Sequence, residues 1–165
     1  MLRDRAEISR HLAAVQKEPR YWDDYEIGQR YPLGSVSFTE QEIVDFARQF
    51  DPQSFHVDRA AAAQSMFGGI IASGWHVASK MMRLFVDNYV DHRTALGSPG
   101  LDELRWLKPV RGGDTLTGTV EIAGKVPSRS RPEMGVIHEH WTVTNQKGET
   151  VMTTRGINMV KRRPA

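Results

Sequence analysis

The spacing of apolar residues changes character once along the chain. Up to about residue 90 apolar positions recur every three or four residues, the period of a helix face; beyond residue 100 they alternate with polar ones, the period of a strand. In residues 1–17, Ile8, Leu12 and Val15 fall four and three apart. This predicts an amphipathic helical arm over residues 1–20, packing on the domain or on a partner subunit. After Pro19 an aromatic and acidic stretch turns at Gly28, and residues 29–38 read as a strand that Pro32 places at an edge. Thr39 and Glu42 match a capping box, in which a threonine oxygen accepts the backbone N–H three residues on and the glutamate reaches back. Ile43, Val44, Phe46, Ala47 and Phe50 carry that helix forward until Asp51-Pro52, because a residue before proline is driven out of the α region. Asp58 is placed to cap a short helix over residues 59–64, which Gly68 and Gly69 terminate. Residues 75–89 then hold Val77, Ala78, Met81, Met82, Leu84, Phe85, Val86 and Tyr89. So little of that helix is polar that it is expected to be buried on most sides, as one wrapped by a sheet would be.

In the alternating half, strands are expected at residues 101–110, 115–123, 135–144 and 149–160. Turns at Arg111-Gly112-Gly113-Asp114 and Asn145-Gln146-Lys147-Gly148, and a basic loop over residues 125–132, separate them. A strand and helices followed by an antiparallel meander indicate a single α+β domain whose sheet curls around one long helix.

Composition narrows the chemistry. The chain has 165 residues, enough for one domain with its own core, and no cysteine, which removes disulfides, thiolate metal sites and cysteine nucleophiles. A formal charge of +2 is too small to argue for a nucleic-acid partner. The first residues are charged, unlike a secretory signal, and no run approaches the roughly 20 apolar residues that span a bilayer. A cytoplasmic protein with no membrane partner is the expectation.

The candidate chemistry lies in Asp51-Pro52-Gln53-Ser54-Phe55-His56, a carboxylate and an imidazole on an expected loop ahead of the most apolar helix. Asp51 ends a helix, where the macrodipole disfavours an anion, so stability alone would not select it. Read from the residues, the pair is either an exposed turn with a capping histidine or an acid/base pair. Ser73 is either a ligand-facing hydroxyl or a helix N-cap, and Gly74 either a packing glycine or a place where a ligand meets backbone. His138 and His140 share a strand face with Glu139 opposite and no third ligand evident, which reads as an ordinary strand and not a metal site.

Four stretches in this order resemble the MaoC-like dehydratases, the group that includes the (R)-specific enoyl-CoA hydratases. They are Phe46-Ala47-Arg48-Gln49-Phe50-Asp51, His56-Val57-Asp58, Gly69-Ile70-Ile71-Ala72-Ser73-Gly74, and residues 101–114 with Arg105-Trp106-Leu107-Lys108-Pro109-Val110 at their centre. The resemblance implies a hot-dog domain over residues 21–165, preceded by the arm of residues 1–20, and a homodimer. It implies that Asp51 and His56 are the catalytic pair, that Gly74 offers an oxyanion-binding amide with Ser73 beside it in the substrate site, and that no metal or separate cofactor is used. The substrate implied is an acyl-CoA or acyl-carrier thioester, and the reaction a reversible addition of water to a 2-enoyl thioester. The chain departs from the hydratase motif, commonly Asp-any-Asn-Pro-Leu-His, at residues 52–55, and has Ser73 where a histidine often stands. A hot-dog thioesterase and a non-catalytic acyl-CoA-binding hot-dog protein are the alternatives.

Overall fold

The computed structural model describes residues 18–164. The arm expected over residues 1–20 therefore lies almost wholly outside the described residues; residues 18–20 are not helical. A short 3-10 turn at Trp22–Asp24 leads into β1 (Arg30–Ser37), then α1 (Glu40–Phe50), α2 (Ser54–Val57), α3 (Arg59–Gln64) and the long α4 (Gly74–Asn88). The strands β2 (Ala95–Trp106), β3 (Thr115–Pro127), β4 (Met134–Thr144) and β5 (Thr150–Lys161) complete the chain. All pair antiparallel in one sheet of order β1-β3-β4-β5-β2. The result is an α+β hot-dog domain with α4 against the concave face of the sheet.

Local signals account for most of these elements. Thr39 Oγ1 accepts from Glu42 N at 3.2 Å while the Glu42 carboxylate takes the Thr39 N–H at 3.0 Å, the reciprocal cap expected. Asp58 accepts from the N–H groups of both Ala60 and Ala61 and starts α3. Strand β2 begins earlier than the alternation suggested. Its register shifts around Gly97 and Gly100, both at positive φ, so a Gly-Ser-Pro-Gly stretch that reads as a loop joins the ladder with β5. An edge strand tolerates Pro99, since its outer side needs no N–H. β1, at the other edge, likewise has a register shift between Pro32 and Gly34.

The core lies between one stripe of α4 and the inner face of the sheet. Val77, Met81, Phe85 and Tyr89 are buried against Leu116, Val120 and Ile122 of β3 and Ile137, Trp141 and Val143 of β4. Gly118 allows this approach, because a Cβ there would lie 2.5 Å from Met81 Cε. The expectation that α4 is buried on most sides is not met within one chain. Trp75 is 60% exposed and Met82 45%, because the sheet covers a single stripe and leaves an apolar strip of the helix uncovered. Among the described residues, no helix is long and apolar enough to cross a membrane.

Glu139 is an acid inside this core, 1% exposed. It accepts hydrogen bonds from Tyr89 Oη at 2.7 Å, Asn158 Nδ2 at 2.7 Å and Trp141 Nε1 at 3.2 Å. Burial pushes its carboxyl up, outweighing the three neutral donors that pull it down. The folded state thus favours the protonated form, so Glu139's contribution to stability is full below the ordinary glutamate range and is lost as pH rises through the raised value. Urea unfolding of wild type across pH should show that decline, and Glu139→Gln should flatten it; parallel curves would contradict the assignment.

Candidate active site

Three helix ends meet at the site. Asp51 closes α1, its N–H bonded to Ala47 O at 2.8 Å, and Pro52 then turns the chain. The next residues form the helical turn α2 instead of the loop expected, and that turn carries His56 inward to 4% exposure. Ser73 caps α4 by accepting the Trp75 N–H at 3.3 Å, and Gly74 is the first residue of that helix. Its N–H has no acceptor among the described residues, as a helix N-terminus leaves its first amides free.

Asp51 is tied at both oxygens. Ser73 Oγ donates to Oδ2 at 2.7 Å and Gln53 Nε2 donates to Oδ1 at 2.7 Å, while His56 Nε2 lies 3.3 Å from Oδ2. Burial raises the Asp51 carboxyl, but Ser73, Gln53 and His56 together outweigh it and hold the pKa below the ordinary aspartate value. Asp51 is therefore a carboxylate at neutral pH, and 19% of its side chain remains exposed.

The His56 ring is oriented by its other nitrogen. Nδ1 lies 2.7 Å from Ile71 O, and a carbonyl can only accept, so Nδ1 carries a proton. In the neutral ring Nε2 would then direct a lone pair at an ionised oxygen. A proton on Nε2, or a water donating to both groups, resolves that repulsion. A pair in this geometry can share or exchange a proton.

His56 and Gly74 line one hollow of about 300 Å³ with Phe67, Val77, Trp106 and Val110. The indole of Trp106 rests directly on Gly74, where a Cβ would lie 2.3 Å from Trp106 Cε2. Arg111 staples the loop that carries Ile71, donating to the carbonyls of Phe67 and of Ile70, the latter at 3.3 Å. Lys108 also lines the hollow, with its ammonium paired to Glu149 at 2.5 Å.

Of the residues singled out in the sequence, Asp51, His56, Ser73 and Gly74 come together. Ser73 is fully buried, with its hydroxyl on Asp51 and on the Trp75 N–H, so it holds the carboxylate and does not line the hollow. The parts played by Gln53, by Arg111 on backbone carbonyls and by the Ile71 carbonyl were not anticipated. Gln53 stands two residues from Asp51, a spacing that could have signalled it; a backbone acceptor leaves no trace in residue identity. His76 belongs to the core beside the site, stacked on Phe46 at 4.6 Å, and burial first and Lys80 second lower its pKa to about 4. His138 and His140 face away from Glu139, as the alternation requires.

The model of the MaoC like domain matches residues 24–144. A MaoC-like dehydratase from Rhodospirillum rubrum superposes with a TM-score of 0.82 at 35% identity, covering 88% of this chain and 99% of that one. The (R)-hydratase from A. caviae involved in PHA biosynthesis superposes with a TM-score of 0.60 at 27% identity, covering 84% of this chain and 98% of its own. An uncharacterized Bacillus subtilis protein, YdeM, is 30% identical over 140 residues, which is 85% of this chain and 98% of the relative. A domain match over most of the chain and full-length likeness to a solved member agree with the motifs that meet at Gly74: the chain belongs to the MaoC-like dehydratase family.

Proposed function

We propose that the protein is a hydratase of 2-enoyl thioesters, adding water reversibly across the double bond, with Asp51 and His56 as its proton-transfer pair and the Gly74 N–H as oxyanion donor. The observation that carries this reading is the approach of an ionised Asp51 to a tautomerically fixed His56, 3.3 Å apart, beside a free amide at the start of α4. In hydration the Asp51 carboxylate takes a proton from water as the water oxygen bonds to Cβ. The π electrons move to the thioester oxygen, giving an enolate that the Gly74 N–H and the positive end of α4 stabilise. Protonated His56 then delivers its Nε2 proton to Cα as the enolate collapses, and the proton taken by Asp51 passes to His56 Nε2 across the 3.3 Å between them, restoring the pair. Dehydration runs the same steps backwards, with neutral His56 taking the α-proton and protonated Asp51 supplying the proton that leaves with hydroxide as water. The thioester, on coenzyme A or an acyl carrier, provides all the activation required, so the reading calls for no metal or further cofactor.

Assembly follows the same reading. β2 leaves an edge unpaired, and the apolar strip of Trp75, Met82, Leu101 and Trp106 lies beside it, exposed in the single chain. A second copy of the chain against this face, in a homodimer, is the proposed occupant.

Four measurements test these statements. Asp51→Asn and His56→Ala should each lower kcat/KM for hydration of an enoyl-CoA by about 10²–10⁴-fold with folding intact, the range of a positioned acid or base; near-native turnover by either removes its role. Thiol release from saturated acyl-CoA without hydration would reassign the site to a thioesterase. Hydration by wild type should persist as pH falls until it reaches the lowered Asp51 value, and Ser73→Ala, which deletes one donor to the carboxylate, should move that acid limb to higher pH. Sedimentation equilibrium at micromolar concentration should give twice the monomer mass; a monomer would rule out the proposed interface.

A further inference from the structure

Two apolar hollows each take part of their wall from α4, and Trp106, which lines one, touches Trp75, which lines the other. The first is the catalytic hollow. The second, of about 360 Å³, is lined by Trp75, Ala78, Met82, Leu101, Leu104 and Met152. Trp106 lines the first, and its ring meets that of Trp75, a wall of the second, at 5.4 Å between centroids with the planes at 75°. On the sheet side the same boundary recurs: Trp106 sits opposite Met152, which lines the second hollow, while the adjacent Val151 lines the first. The indole is held against Gly74 so closely that three of its ring carbons lie 2.3–2.8 Å from where a Cβ on residue 74 would be.

The remaining walls decide where a longer acyl chain can go. Ala72, Val77, Val110 and Val151 form the inner part of the catalytic hollow, and each is buried at 7% exposure or less, backed by the packed core. Extension in that direction would require core side chains to move, at the usual cost of overpacking. Beyond Trp106, in contrast, lies further apolar space, reached through its contact with Trp75. A thioester carbonyl on the Gly74 amide would thus place a lengthening tail against the indole.

We propose that Trp106 sets the acyl-chain length: with the indole on Gly74 the catalytic hollow takes short, crotonyl-type 2-enoyl thioesters, and its removal opens the α4 groove to longer chains. The inference rests on the hydratase reading and names its substrate class. Trp75, Met82 and Leu101 of this groove also belong to the face proposed for a second copy, so the test is made on the assembled protein.

The test compares crotonyl-CoA with 2-octenoyl-CoA for wild type, Trp106→Phe and Trp106→Ala, with butyryl- and octanoyl-CoA binding followed by calorimetry on the same proteins. Wild type should favour crotonyl-CoA by at least about tenfold in kcat/KM, the scale on which apolar pockets discriminate methylene groups. Trp106→Ala should erase or reverse that ratio through a gain on the longer substrate, with Trp106→Phe between. A wild type that prefers octenoyl-CoA, or a ratio unchanged in both variants, overturns the proposal. Should Trp106→Ala fail to fold, a ratio unchanged in Trp106→Phe alone overturns it. If wild type hydrates neither enoyl substrate, the hydratase reading fails, and calorimetry still decides on the gate: octanoyl-CoA must gain over butyryl-CoA when Trp106 is shortened.

Discussion

The site depends on the hydrogen bond from Ser73 Oγ to Asp51 Oδ2. Asp51 terminates α1, where the dipole of its own helix is unfavourable to an anion. The same bond places that carboxylate next to the N-terminus of α4, where the dipole is favourable. One hydroxyl therefore joins two helix ends of opposite polarity and converts a local defect into a stabilised charge. Gln53 on the other oxygen limits rotation of the carboxylate, and the Ile71 carbonyl limits rotation of the imidazole facing it. Each partner of the pair is oriented from its far side, which leaves the facing atoms available for protons.

Helix α4 serves three purposes with three parts of its surface. Its buried stripe closes the core over Gly118, its first residue lines the hollow that His56 also lines, and its uncovered strip offers apolar area beyond one chain. The first use requires rigidity, and the close approach of Met81 to the sheet supplies it. That rigidity in turn fixes the Gly74 amide relative to His56, which arrives from a different element. Glycine at position 74 answers two demands at once, since a side chain would displace the Trp106 indole and crowd the amide.

Much of this was legible in the chain because it rests on local chemistry. Thr39 with Glu42 and Asp58 ahead of Ala60 encode helix starts through bonds that span three residues or fewer, and Asp51 before Pro52 encodes a helix end through the steric effect of proline on the residue before it. Asp51, His56, Ser73 and Gly74, singled out in the sequence chiefly through the family resemblance, lie together in the structure. The extension of β2 across Gly97 to Gly100 was not legible, since glycine and proline mark a turn unless a neighbouring strand imposes a bulged ladder. Nor was the turn α2, four residues long and too short to show a period. Arg111 acts on backbone carbonyls 41 and 44 residues away, and Trp106 presses on a residue 32 positions earlier. Contacts of that range exist only after the sheet has closed on the helix.

The two outer strands of the sheet share an irregularity. β1 has Pro32 and a register break beside it, and β2 has Pro99 with breaks on either side. A straight, regular edge would template strand after strand and lead to fibrils. Here each edge is regular over only part of its length, so an added strand finds a short run of usable amides and then a mismatch. Growth by repeated edge pairing is thereby discouraged, while a single closed pairing between two copies remains available. The irregular edges thus oppose fibril growth through the backbone itself, without depending on the protein's small net charge.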